Sequence, residues 1–281
     1  MQPRYRTFTE ALYRLYEHSG FSLAGAVAFS FIVSLFPFSI FLGALAGLFG
    51  GRELATQAIS QLFQFLPERV AAGLAPEVES IMTNSRFDLL TLGALVALFF
   101  ATSAIETMRA ALNGAYRVKE TRSYPLCLGI SSLFVLVSAV SMLVLTWLVL
   151  VAPRIAAEID PNLMKKVQSW SALNVIERYA SAAAVIGAQL VAFHLWLAAG
   201  KRTLRQVLPG VTLSVVLWLL AAGLYSYYLN LNDYSRFYAG LSQLMVALLF
   251  FQWTAIIIIL GAELNRGLME FDKYRNGAEG P

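Results

Sequence analysis

Six stretches of this chain contain no Asp, Glu, Lys or Arg: His18–Gly51, Leu89–Ile105, Ser123–Pro153, Tyr179–Gly200, Gln206–Asn232 and Phe237–Ala262. They are 34, 17, 31, 22, 27 and 26 residues long. A helix needs roughly 20 predominantly apolar residues to cross a hydrocarbon core about 30 Å thick. Where there is no water, a helix satisfies its own backbone hydrogen bonds. The runs therefore predict an all-α polytopic membrane protein with six transmembrane helices, at about 21–50, 88–106, 123–153, 179–200, 208–232 and 237–263.

The connections leave little room for anything else. With 58% hydrophobic and 14% charged residues, the chain lies far from the soluble class, where about 25% of residues are charged. The longest connection, Arg52–Asp88, has 37 residues, so residues 1–281 read as a single membrane domain. The first run exceeds the roughly 7–15 residues of a signal-peptide core, so helix one is expected to be retained. The one cysteine, Cys127, excludes an intrachain disulfide and reads as a small core residue.

Charge sets the expected orientation. The N-terminal tail, the 106–122 loop, the 201–208 loop and the C-terminal tail together carry 13 Lys and Arg and a net charge of +5. The segments on the opposite side carry 8 and a net charge of −1. The positive-inside rule places both termini in the cytoplasm. The overall charge of +4 follows this topology, so no nucleic-acid partner is expected. The lipid bilayer is the expected partner, and self-association is left open.

Shorter amphipathic segments flank the runs. Thr7-Phe-Thr-Glu10 has capping-box spacing, and Phe8, Leu12, Leu15 and Tyr16 follow at helical intervals. This predicts a short helix on the inner leaflet. In 52–88, Leu54, Ala58, Leu62, Phe65 and Leu66 form an apolar face that Pro67 stops. In 154–178, Leu163, Val167, Trp170 and Leu173 follow Pro161. Both segments read as short helices on the outer interface or capping the bundle mouth, as structural lids over the helix ends.

Function is carried, if anywhere, by polar residues inside the runs. Ser30, Ser34, Ser103, Gln189, His194 and Gln243 would be costly against lipid and are expected to face the bundle interior. They act either as interhelical glue, worth about 0.6 kcal/mol per contact, or as the lining of a path for a solute. Pro37 removes a backbone donor from helix one and is either a hinge or a kink fixed by packing. At the inner rim, Glu106 and Arg109, and Glu263 and Arg266, stand three residues apart, as neighbours on a helix surface. They are expected to form two rim salt bridges, while Glu270 is expected to be solvated in the tail. No metal-ligating cluster, phosphate loop or nucleophile elbow occurs. Neither an enzyme activity nor a cofactor is expected.

Several short motifs taken in order suggest a family. They are Ala26-Val-Ala-Phe-Ser-Phe31 leading to Ser34-Leu-Phe-Pro37, then Ala111-Leu-Asn-Gly-Ala-Tyr-Arg117, then Leu208-Pro-Gly210. Tyr238-Ala-Gly240 and Leu260-Gly-Ala-Glu-Leu-Asn265 complete the set. From roughly Phe21 to Asn265 the chain resembles the YihY/BrkB family of bacterial inner-membrane proteins. It departs from the family pattern in having Ala239 between Tyr238 and Gly240, and Gln252-Trp253 where an aromatic pair is usual. The resemblance implies about six membrane helices and suggested roles in virulence, serum resistance or small-molecule export. It also brings Tyr238 in as a candidate on the path. The family has carried the label ribonuclease BN, but RNA cleavage needs a metal cluster or an acid–base pair beside a basic groove, and the sequence outside the runs offers neither.

The expected function is a transporter or exporter of a small amphipathic or anionic solute. A non-transporting scaffold for envelope integrity is the alternative, and a membrane-associated ribonuclease comes last. A cavity between the helices would favour the first, and a dry packed bundle the second.

Overall fold

The computed structural model describes residues 5–64, 71, 90–146, 186–231 and 242–278, and all the described secondary structure is helical. The first helix, α1 (Tyr5–Glu17), turns Ala11 and Leu15 inward and Leu12, Tyr13 and Tyr16 outward. It begins two residues before Thr7, so Thr7 lies within the helix and is not its cap. A bend of 73° joins it to α2 (Gly20–Gln64). Ser19 takes the corner at φ 56°, and a side chain on Gly20 would press within 2.8 Å of the Leu15 carbonyl.

The break expected after Gly51 does not occur. The helix continues through 52–64, with Pro37 and the Gly50–Gly51 pair inside it. Ile32, Leu35, Ile59 and Phe63 join one core cluster with Val246, Ala247 and Phe250 of the last helix. A straight helix would separate Ile32 from Ile59 by about 40 Å, so α2 bends. Its second half finds apolar partners in the bundle, which is why it does not lie as a separate helix on the interface. The remainder of the 52–88 segment, apart from Ala71, and all of 154–178 lie outside the described residues.

Five more helices follow: α3 (Leu90–Tyr116), α4 (Tyr124–Thr146), α5 (Ile186–Leu197), α6 (Leu204–Leu231) and α7 (Ser242–Ala278). The last turn of α5, Phe193–Leu197, is a π-helix. The helices α3 and α7 pack on α2; α6 and α1 pack on α7; α4 lies on α3 and α2; and the π turn sits between α3 and α6. Large apolar side chains such as Phe99, Leu133, Val137, Val144, Leu220 and Trp253 face outward, as lipid-facing surfaces require.

Four described helical segments are long and apolar enough to cross a membrane: Leu95–Tyr116, Tyr124–Ser141, Leu204–Ala221 and Leu244–Tyr274. The bent α1–α2 pair makes a fifth if it is one span. This gives four to five spans where six were expected. The difference arises at the first run, which counts only through the bent pair, and at 179–200, where the described part, Ile186–Leu197, is shorter than a crossing.

Two helices cross with almost no side chain between them. A Cβ on Gly210 of α6 would collide with the Gly261 carbonyl and lie 2.6 Å from the Asn265 side chain. One on Gly261 of α7 would meet the Ser214 hydroxyl and lie 2.7 Å from the Gly210 carbonyl. Small residues allow this approach, and in lipid such van der Waals packing replaces the hydrophobic drive between helices.

Candidate functional site

Where α1, the ends of α3 and α5, the start of α6 and the tail of α7 meet, the bundle is polar. The α3 end is shaped by Arg117, whose φ is 54°. Arg117 N–H donates to the Gly114 carbonyl at 3.0 Å and Val118 N–H to the Asn113 carbonyl at 3.0 Å. This is a Schellman turn with arginine in the position that usually takes glycine. The left-handed backbone costs on the order of 1 kcal/mol. It turns the chain so that Arg117 Nη2 donates to Glu263 Oε2 of α7 at 3.0 Å. Arg117 also reaches His18 at 3.2 Å and Glu270 at 3.5 Å.

Glu263 is 1% exposed. It pairs with Arg117, not with Arg266 as the three-residue spacing predicted. Arg266 bonds Glu270 at 2.8 Å, and Arg14 of α1 reaches the other Glu270 oxygen at 3.0 Å. Glu270 is therefore no solvated tail residue: it gathers arginines from α1, α3 and α7.

On the opposite flank Glu106 does bond Arg109, and Ser131 of α4 donates to Glu106 Oε1 at 2.5 Å. Because α3 runs on to Tyr116, this pair sits inside the helix and not at its end. Arg109 also holds Glu120 at 2.8 Å, which Arg122 bonds at 2.8 Å and Asn113 at 3.1 Å. The Arg122 guanidinium above all, helped by Arg109 and Asn113, holds the Glu120 carboxyl well below the usual carboxylate range against the opposing effect of partial burial.

The end of α5 is closed by two arginines. Arg122 donates to the carbonyls of Trp196 and Leu197, and Arg202 to those of His194 and Ala199, at 2.7–3.1 Å. Carbonyls left over at a helix end need such partners, and cations suit the negative end of the helix dipole. Arg202 also lies 4.0 Å above the Tyr116 ring.

At the centre, Tyr116, His194 and Asn265 are buried together. Asn265 Oδ1 accepts from Gly210 N–H at 2.7 Å, while its Nδ2 donates to the Val207 carbonyl at 3.0 Å and to Tyr116 Oη at 3.2 Å. Pro209 interrupts the α6 ladder here, and the Asn265 side chain bonds backbone groups on either side of it. Since Asn265 donates to the phenol oxygen, the phenol proton is free for His194 Nδ1, 2.7 Å away. That arrangement assigns the imidazole proton to Nε2. His194 Nε2 and Glu263 Oε1 are buried atoms without a hydrogen-bond partner among the described residues.

Beside this cluster lies a cavity of about 360 Å³ between α2, α3, α4, α5, α6 and α7. Its walls are mostly apolar, among them Phe31, Leu35, Met108, Phe193, Trp218 and Phe250. Polar groups come from Ser34, Ser138, Ser141, Gln189, Ser214 and Thr254. Gln189 Nε2 donates to Ser138 Oγ at 2.6 Å.

Of the path candidates, Ser34 and Gln189 line the cavity. Ser30 instead bonds Thr107 at 3.0 Å in the α2–α3 seam. Ser103 is exposed on the outside of α3, and Pro37 is half-buried in α2; neither lines the cavity. His194 belongs to the polar cluster. Tyr238 lies outside the described residues, as does the Gln243 side chain. The sequence reading gave no role to Tyr116 or Glu120, while Arg202 was expected, with Lys201 and Arg205 of the short loop, at the level of the inner rim. Tyr116, Arg117, Gly210, Glu263 and Asn265 all fall in the short motifs, and the fold brings three of those motifs to one point. Among the described residues no group of three or more His, Cys, Asp or Glu could hold a metal ion.

Comparison with known proteins follows the same outline. A Bacillus subtilis (strain 168) protein described as ribonuclease-like protein YfkH is 25% identical over 262 residues, covering 92% of this chain and 94% of the relative. No solved structure matches. A model of the family described as Virulence factor BrkB matches residues 11–280, and the chain belongs to that family.

Proposed function

We propose that this BrkB-family membrane protein moves a small amphipathic solute across the bacterial inner membrane, by way of the cavity between its helices. The cavity is the observation that carries this reading: it lies within the roughly 300–1,000 Å³ range of ligand sites and has both apolar walls and hydrogen-bonding groups. We take the chain to cross six times with both termini cytoplasmic, on the charge difference of +5 against −1 between the two sides. The polar cluster then forms the cytoplasmic floor of the cavity. The solute is written without a charge, because no Lys or Arg is among the described lining residues.

A scaffold role is the second reading, and the dense bonding of the polar end favours it: every helix meeting there is tied to another. A ribonuclease reading rests on the description of the relative.

The test is an untargeted comparison of metabolites inside and outside cells that carry the wild type, no protein, or a filled cavity. Ser138→Trp fills the cavity; Ser103→Trp puts the same bulk on the outside of α3. We expect one amphipathic solute to accumulate in cells lacking the protein and in Ser138→Trp cells, but not in Ser103→Trp cells of equal expression. No difference between wild type and deletion would leave the scaffold reading.

A further inference from the structure

We infer that the cavity is a binding site for a single-chain amphiphile with an uncharged, hydrogen-bond-donating head, and that this ligand enters sideways from the bilayer between α4 and α5. The inference deepens the transport reading and rests on the same cavity.

The chemistry of the lining selects the head. Ser34 Oγ already donates to the Phe100 carbonyl, Ser214 Oγ to the Ile257 carbonyl and Thr254 Oγ1 to the Phe250 carbonyl, each at 3.0 Å. Their protons are committed, so they offer lone pairs to the cavity. A buried anion needs a cation or a full set of donors around it. No Lys or Arg is among the described lining residues, and the remaining donors, the Ser138 and Ser141 hydroxyls and the Gln189 amide, sit together at one side of the cavity. A cation needs a carboxylate or a set of aromatic faces held around it. No Asp or Glu is among the described lining residues, and the Phe31, Phe193, Trp218, Phe250 and Phe251 rings are packed against other rings. A neutral hydroxyl or amide head meets acceptor oxygens without leaving a buried charge unpaired. The aliphatic and aromatic walls take the hydrocarbon chain.

The exposure of the lining selects the route. Toward the polar end the cavity stops at Ile105, Met108 and Phe193, with the Tyr116–His194–Asn265 cluster beyond. Of the described lining residues only Ser141 of α4 and Gln189 of α5 are exposed. Ser138 stands one turn from Ser141 and is bonded to Gln189, so the mouth is a polar spot. Along the same helix Leu133, Val137, Val140 and Val144 face outward as an apolar surface suited to lipid chains. A ligand that partitions into the bilayer reaches this mouth without passing through water.

The experiment uses the purified full-length protein in nanodiscs of zwitterionic phospholipid. Three photoreactive alkyl probes share one diazirine-bearing chain and differ in head: an alcohol, a carboxylate and a trimethylammonium. Labelled peptides are mapped by mass spectrometry. The alcohol probe should label α2, α4 or α7 residues of the cavity saturably, at least about fivefold above the charged probes, as one unsatisfied buried polar group costs. Ser138→Trp should abolish the saturable labelling and Ser103→Trp leave it intact. Gln189→Leu keeps the cavity but removes the amide of the mouth, and should slow labelling without abolishing it. Labelling confined to outward-facing residues, or stronger labelling by either charged probe, overturns the inference. Saturable cavity labelling with no solute difference in cells would defeat the transport reading and leave this one standing. Solute export without cavity labelling would do the reverse.

Discussion

The polar end of the bundle and the cavity beside it are built from similar side chains used in opposite ways. At the polar end a single side chain joins several elements: Asn265 of α7 bonds two α6 backbone groups and the Tyr116 phenol of α3. In the cavity the hydroxyls donate to a single helix carbonyl each and stop there. The first arrangement ties many elements to one geometry, so that losing one member strands several others. The second satisfies each of these hydroxyls with one carbonyl, on the neighbouring helix for Ser34 and Ser214 and on its own helix for Thr254, and leaves the surrounding space free of further bonds. A fold that must hold its shape and still accept a guest separates the two tasks in this way.

The comparison is broken most severely at the α6–α7 crossing. Gly261→Leu forces a side chain against Ser214 and the Gly210 backbone. It should cost about 3 kcal/mol or more, seen as a collapse of the folded yield and of the detergent melting temperature. A tolerated leucine would show that the crossing is looser than described.

Next in size is the buried ion pair. Glu263→Gln leaves Arg117 without its main partner and should destabilise by about 2 kcal/mol, less than for a fully buried pair because Arg117 is partly exposed. The double change with Arg117→Gln should be milder than the sum of the singles. Arg266→Gln should show no such coupling to Glu263→Gln, and strong coupling there would restore the pairing predicted from spacing.

The two regions are then compared directly. Asn265→Ala removes a partner from a backbone donor and a carbonyl of α6 and leaves the Tyr116 phenol with His194 alone, and should cost about 1–3 kcal/mol. Ser214→Ala, which removes one hydroxyl facing the cavity, should cost about 0.6 kcal/mol. Equal costs in thermal unfolding would erase the distinction between network and lining.

The smallest effect is one of pH. The folded-state pKa of Glu120 is depressed, so its contribution is fully present above the ordinary carboxylate range, about 4.5. It is lost as the pH falls from there toward the folded-state value. The melting temperature of the wild type should therefore decline more steeply below about pH 4.5 than that of Glu120→Gln. Parallel declines would assign the acid sensitivity to other groups.

Much of the fold is legible from where charge is missing, because an ionised side chain is expensive at mid-membrane and its absence marks the apolar helices. Helix ends were harder to place. Glu106, Arg109 and Glu263 look like the point where a helix meets water, yet α3 continues to Tyr116 and α7 to Ala278. Partners from the 117–123 loop and from α4 neutralise the charges inside the helices. Local spacing succeeded for Glu106 with Arg109, three residues apart on one helix. It failed for Glu263, whose partner Arg117 lies 146 positions away. The motif residues Tyr116, Gly210 and Asn265 stood out in the sequence, but nothing there says that they touch.

The sequence by itself determined that the chain is helical and lives in a membrane, that its charge is distributed unequally, and that it belongs with the YihY/BrkB pattern. Those properties follow from composition along one dimension, through the cost of putting charge and unpaired backbone into hydrocarbon. The tertiary structure alone decided that Glu263 pairs with Arg117, that Asn265 supports the α6 backbone around Pro209, and that Ser34 and Gln189 face one cavity while Ser103 does not. Each depends on the distance and direction between side chains of different helices, and these are set by how closely the backbones approach at contacts such as Gly210 against Gly261.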